Sequence, residues 1–228
     1  MTANQAARHQ LRLTEDRIKP DAGYARPLPA LNRILYVLKG HLTVKIGDKD
    51  LRTSENHARF SSGEVEAAAG PSGATVLRYE LVTTAAPAAN GGPEVASTML
   101  LETAITLERS EPYLMRCDRV DFAPRGIAPL HRHKGGGIRC LIAGGLEVRV
   151  GDHAETYKPG QAWFESGREQ VYAMASPDGP TAFIRVSVFP RAILGQPSLI
   201  FADPADMGRS KGNYALSFFV DEPIEVPW

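Results

Sequence analysis

The chain has 228 residues, is 43% apolar, and carries 26 basic and 26 acidic side chains for a formal net charge of zero. That is enough for one large domain or two of about 100 residues each, with material for a sizeable core. No basic run offers a footprint for nucleic acid or anionic lipid, no stretch approaches the ~18 apolar residues of a membrane helix, and MTANQAARHQLRLTEDRIKP has no apolar leader core.

In chain order, residues 5–18 are expected as a short helical arm. The runs RILYVLKGHLTVKIGD (33–48), YLMRCDRVDFAP (113–124), CLIAGGLEVRVGD (140–152) and TAFIRVSVFP (181–190) are short and rich in β-branched and aromatic residues. Each ends near Gly, Pro or Asp, the pattern of an antiparallel sandwich or barrel. A second short helix is expected over 203–209. TTAAPAANGGPE (83–94), small and rich in Pro and Gly, reads as a linker and divides the chain into domains 1–92 and 93–228. Cys117 and Cys140 make no disulfide framework, so a reduced, cytoplasmic protein is expected.

The chain repeats itself. A shift of 104 residues places Gly40, Leu42, Val44, Gly47 and Asp48 on Gly144, Leu146, Val148, Gly151 and Asp152, and Phe60, Ser62 and Gly63 on Phe164, Ser166 and Gly167. A shift of 106 then places Ala69, Pro71, Gly73 and Thr75 on Ala175, Pro177, Gly179 and Thr181. Two copies of one β-unit follow from this ordered series.

PLHRHKGGGIRCLIAGGLEVRVGD…YKPGQAWFESGREQVYA resembles the paired motifs of the cupin superfamily, strongly in the second copy and only as scaffold in the first. The resemblance implies an all-β protein of two tandem cupin barrels (antiparallel jelly rolls), with a metal site inside a barrel mouth. His131 and His133, at i and i+2, share a strand face and can converge on one ion. Their counterparts at a shift of 104 are Pro27 and Pro29, which bind no metal, and His41 and His57 lack ligand spacing. The first barrel is therefore expected to be structural, packing against its twin or a second subunit, and a homodimer is the expected assembly.

The second copy departs from the family pattern. Gly137 stands where the motif usually carries Glu, and Gln170 or Val171 where it carries the last His. Glu165, whose twin is Ser61, is the expected third ligand beside His131 and His133, with Gln170 as a further neutral oxygen donor. Two imidazoles, a carboxylate and open positions suit Fe(II), Zn(II) or Mn(II). Arg139, whose twin is Leu35, points inward: either it orients an anionic substrate, or it pairs with Glu165 and takes that residue from the metal. The expected function is that of a metal-dependent enzyme, a dioxygenase, isomerase or hydrolase acting on a small organic acid or carbonyl compound. The competing expectation is a non-catalytic bicupin that binds or senses a small molecule or metal.

Overall fold

A computed structural model describes residues 9–83, 87–89, 91–210 and 212–228. The chain divides into two compact units, residues 1–111 with 224–228, and residues 112–223. The division falls later than the expected boundary at 92, because the strand that follows the Pro/Gly-rich segment pairs back into the first unit. Part of that segment, residues 84–86 and 90, lies outside the described residues.

The first unit holds β1 (His9–Ile18), β2 (Asn32–Ile46), β3 (Lys49–Ser54), β4 (His57–Ser61), β5 (Glu66–Thr83) and β6 (Val95–Ile105). They form one sheet in the order β3-β2-β5-β1-β6, with β4 also on β2. β1 lies where a helical arm was expected, and residues 5–8 of that arm fall outside the described residues. Leu11 and Leu13 alternate with polar residues, a period of two that suits a strand with β5 on one edge and β6 on the other.

The second unit holds β7 (Tyr113–Phe122), β8 (Ile127–His133), β9 (Gly137–Ala143), β10 (Leu146–Val150), β11 (His153–Tyr157), β12 (Ala162–Glu165), β13 (Val171–Ala175), β14 (Thr181–Pro190), β15 (Leu199–Phe201) and β16 (Tyr214–Ile224). Two five-stranded sheets result, β11-β10-β13-β8-β15 and β12-β9-β14-β7-β16. A four-residue helix, α1 (Asp206–Arg209), lies within the expected 203–209. Among the described residues no helix is long and apolar enough to cross a membrane. Val120, Phe122, Leu141, Val148, Trp163 and Phe183 are part of the second unit's apolar core.

The repeat is present in the strand register. In the first unit Ser61 pairs with Arg33 and Phe60 with Ile34; in the second, Glu165 pairs with Gly137 and Phe164 with Ile138. Leu42 pairs with Thr53 and Ala69, just as Leu146 pairs with Tyr157 and Ala175. Further along, the register corrects the alignment by one residue. Thr75 faces Lys39 while Ala182 faces Ala143, so Thr75 corresponds to Ala182 rather than Thr181. Arg78, opposite Leu35, thereby corresponds to Arg185, opposite Arg139.

Candidate functional site

His131, His133, Arg139 and Glu165 are among the polar side chains of the second unit that line one cavity of about 430 Å³. β8 supplies the histidines, and its alternation turns both to one side while Arg132 between them is exposed. β9 and β12 are neighbours, and their ladder sets Trp163 beside Arg139 and Glu165 beside Gly137. Val120, Phe122, Leu146, Val148 and Phe183 belong to the apolar wall. Trp163 lies there too, stacked on Tyr157 at 4.5 Å between ring centroids.

His131 and His133 are buried, with ring centroids 4.9 Å apart and planes nearly perpendicular. Nδ1 of His131 lies 2.6 Å from the Pro129 carbonyl, which only accepts, so Nδ1 carries the proton and Nε2 is left with its lone pair. Nε2 of His133 is 3.3 Å from Glu165 Oε2, and its Nδ1 is buried with no hydrogen-bond partner. Burial lowers both imidazole pKa values against the pull of Glu165, that of His133 to about 3, so both rings are neutral near pH 7.

Glu165 is held from two sides. Trp163 Nε1 donates to Oε1 at 2.9 Å, and Arg139 Nη2 stands 2.8 Å from Oε2. Burial alone would raise its carboxyl pKa, but the Arg139 guanidinium and the His133 contact outweigh it and hold the group well below the usual carboxylate range. Glu165 and Arg139 thus lie as an ion pair, one of the two roles open to the carboxylate. Gln170 is exposed on the loop between β12 and β13 and does not line the cavity. Gly137 has no room for a side chain: a Cβ there would lie 2.1 Å from Ser187 Oγ and 2.6 Å from the Val186 carbonyl. The missing motif carboxylate is therefore excluded by the close approach of β14.

A divalent ion would find two imidazole donors here. Among the described residues no three His, Cys, Asp or Glu side chains are grouped to hold a metal. Zinc and non-haem iron centres commonly use three protein ligands. The donor set as it stands falls short of such a centre, because the third donor is engaged by a guanidinium.

Two further ion pairs border the cavity and were not foreseen. Arg185 of β14 grips Asp118 of β7 through two hydrogen bonds of 3.0 and 2.9 Å, both side chains buried. Arg116 of β7 holds Asp221 at 2.8 Å and also donates to the carbonyls of Gln196 and Ile193. The period of two in YLMRCDRVDF, which sets Arg116 and Asp118 on the face of Val120 and Phe122, was the available signal.

The first unit has other residues at the matching places. Leu28 pairs with Val65 as His131 pairs with Val171, so the ladder sets Leu28, rather than Pro27, at the place of His131. Leu28 and Leu35 both belong to that unit's apolar core. His57 is exposed and His41 half-buried. Cys117 and Cys140 are buried thiols, and burial pushes the Cys117 thiol up, which leaves it inert.

No family model matches the sequence, and no curated protein matches it. Solved structures do match in fold. AerE from Microcystis aeruginosa has a TM-score of 0.58 at 13% identity, over 82% of this chain and 95% of that one. A deletion mutant of Bacillus subtilis oxalate decarboxylase OxdC has a TM-score of 0.54 at 13% identity, over 82% and 73%. Protein Ylba from E. coli has a TM-score of 0.52 at 12% identity, over 82% and 86%. The chain is an all-β protein with the cupin fold. At these identities the likeness is one of fold alone, and function rests on the site.

Proposed function

We propose that this chain is a small-molecule cupin whose second unit takes a compact, mainly apolar carbonyl or hydroxyl compound into the cavity, with its polar head against His131 and His133. One observation carries the reading: an apolar chamber of about 430 Å³ has a polar end where two imidazoles, a guanidinium and a carboxylate meet. Pockets of roughly 300–1,000 Å³ with apolar walls and a few convergent polar groups are the usual form of small-molecule sites. The His131 Nε2 lone pair supplies a hydrogen-bond acceptor and, for an enzyme of the isomerase or hydrolase type, a proton acceptor.

The test is thermal-shift screening of neutral aromatic ketones and phenols against the wild type and Ala173→Leu, a change that narrows the cavity. Saturable stabilisation of the wild type, lost in Ala173→Leu, is the expected result. Compounds that stabilise both proteins equally, or neither, would overturn the reading.

A divalent metal is the second reading, favoured by the Pro129 carbonyl, which fixes the His131 ring with Nε2 free as a metal-binding histidine is fixed by its outer partner. It requires Glu165 to exchange Arg139 for the ion. Elemental analysis of protein purified without added metal or chelator decides it. About one equivalent per chain, lost in His131→Ala with His133→Ala and kept in His41→Ala with His57→Ala, would establish the metal; no metal in the wild type would remove it.

A further inference from the structure

We infer that the ligand of this cavity is uncharged, an alcohol, phenol or ketone rather than an organic acid; the inference rests on the cavity reading above and names the ligand's class. Among the described residues three guanidinium groups line the chamber, and each has a carboxylate of its own. Arg139 has Glu165 at 2.8 Å, Arg185 has Asp118 at 2.9 Å and Arg116 has Asp221 at 2.8 Å. Three positive charges are thus matched by three negative ones.

An acid entering this chamber brings a charge into apolar surroundings where every cation is already neutralised. It must either remain unpaired, which is costly, or displace Glu165, Asp118 or Asp221 and strand that carboxylate instead. A neutral hydroxyl or carbonyl meets no such conflict. A hydroxyl also answers an acceptor the site presents, since His131 Nε2 has its lone pair. The apolar wall, with Trp163 and Phe183 at 5.4 Å between centroids, suits an aromatic or branched aliphatic body.

The experiment compares 2-naphthol with 2-naphthoate by isothermal titration calorimetry at pH 7, where a phenol is neutral and a carboxylic acid ionised. Naphthol is expected to bind the wild type at least about tenfold more tightly than naphthoate, the discrimination expected where a buried charge lacks a partner. Removing one carboxylate leaves a cation for the acid, so naphthoate should gain about tenfold in Glu165→Gln. Asp221→Asn, where the partner is partly exposed, should show the same gain and serves if Glu165→Gln does not fold. Naphthoate binding the wild type as tightly as naphthol, or no gain in either folded variant, would overturn the inference and leave the cavity reading standing. Binding of neither compound to the wild type would overturn both.

Discussion

Glu165 Oε2 stands 2.8 Å from Arg139 Nη2, inside a unit whose counterpart carries Ser61 and Leu35 at the same ladder positions. The acid and the cation thus occur together in one unit and are absent together from the other. Neither has a reason to be buried alone, since each would leave an uncompensated charge.

Glu165→Gln is expected to cost about 3–5 kcal/mol of stability, because it strands the Arg139 guanidinium. The double change Arg139→Leu, Glu165→Gln should recover much of that loss, since the first unit folds with Leu35 and Ser61 there. Urea melts of both single variants and the double form the cycle. A double variant as unstable as the sum of the singles would show that the two side chains do not act as a pair.

Stability should fall on mild acidification. His133 has a folded pKa of about 3 against the ordinary imidazole value of 6.5, so below pH 6.5 the unfolded chain takes up a proton that the folded chain refuses. The slope approaches about 1.4 kcal/mol per pH unit for one such group. His131, lowered in the same direction, adds to it. Glu165 also acts with the same sign but lower on the scale: its depressed pKa gives stability above the usual value of 4.5 that is lost as pH falls below it. Urea melts between pH 7.5 and 5 should therefore show a flatter slope in His133→Gln than in the wild type. Equal slopes would mean that His133 is protonated in the fold.

Much of this was legible in the sequence, because a period of two fixes which side chains share a face. His131 with His133, and Arg139 two residues from Gly137, needed nothing more. The repeat supplied the contrast between Glu165 and Ser61, which the ladders reproduce. What escaped was the partnering of charges across strands. Asp118 and Arg185 are 67 positions apart, and β14 is buried on both faces, so TAFIRVSVFP reads as a uniform apolar run with no sign of which way Arg185 points. The β1 strand escaped for a similar reason: a polar-rich segment between two neighbouring strands buries residues of both faces, so its composition resembles a surface helix. For Gln170 the gap between the motifs fixed only its sequence place, and the loop carries it to the surface.

Gly137→Ala is expected to destabilise the second unit by about 1–3 kcal/mol, the range for overpacking, since strand β14 backbone lies where the methyl would go. Gly137→Glu, which restores the usual motif carboxylate, should fail to give a soluble folded protein rather than create a metal ligand. Thermal melts of the alanine variant and elemental analysis of any soluble glutamate variant check both. A stable Gly137→Glu protein with bound metal would contradict the packing argument.

The first unit holds its own buried charge cluster, and the bonds within it decide which residue suffers when it is broken. Arg78 donates to Asp16 at 2.7 Å and to Glu80 at 2.7 Å, while Glu80 has a second partner in Arg33 at 2.8 Å. Among the described residues Asp16 otherwise receives hydroxyl groups, from Tyr24 at 2.7 Å and Ser97 at 2.5 Å. Arg78→Met should therefore leave Glu80 neutralised by Arg33 and Asp16 without a cation, at a cost of about 3–5 kcal/mol. Adding Asp16→Asn removes the stranded charge; its amide oxygen still accepts from one hydroxyl, and its NH2 donates to the other, which turns to accept, so Arg78→Met with Asp16→Asn should regain much of the loss. Adding Glu80→Gln instead strands Arg33 as well and should deepen it. Urea melts of the two double variants give the order directly, and Arg78→Met with Glu80→Gln proving the more stable would reverse the assignment of which carboxylate depends on Arg78.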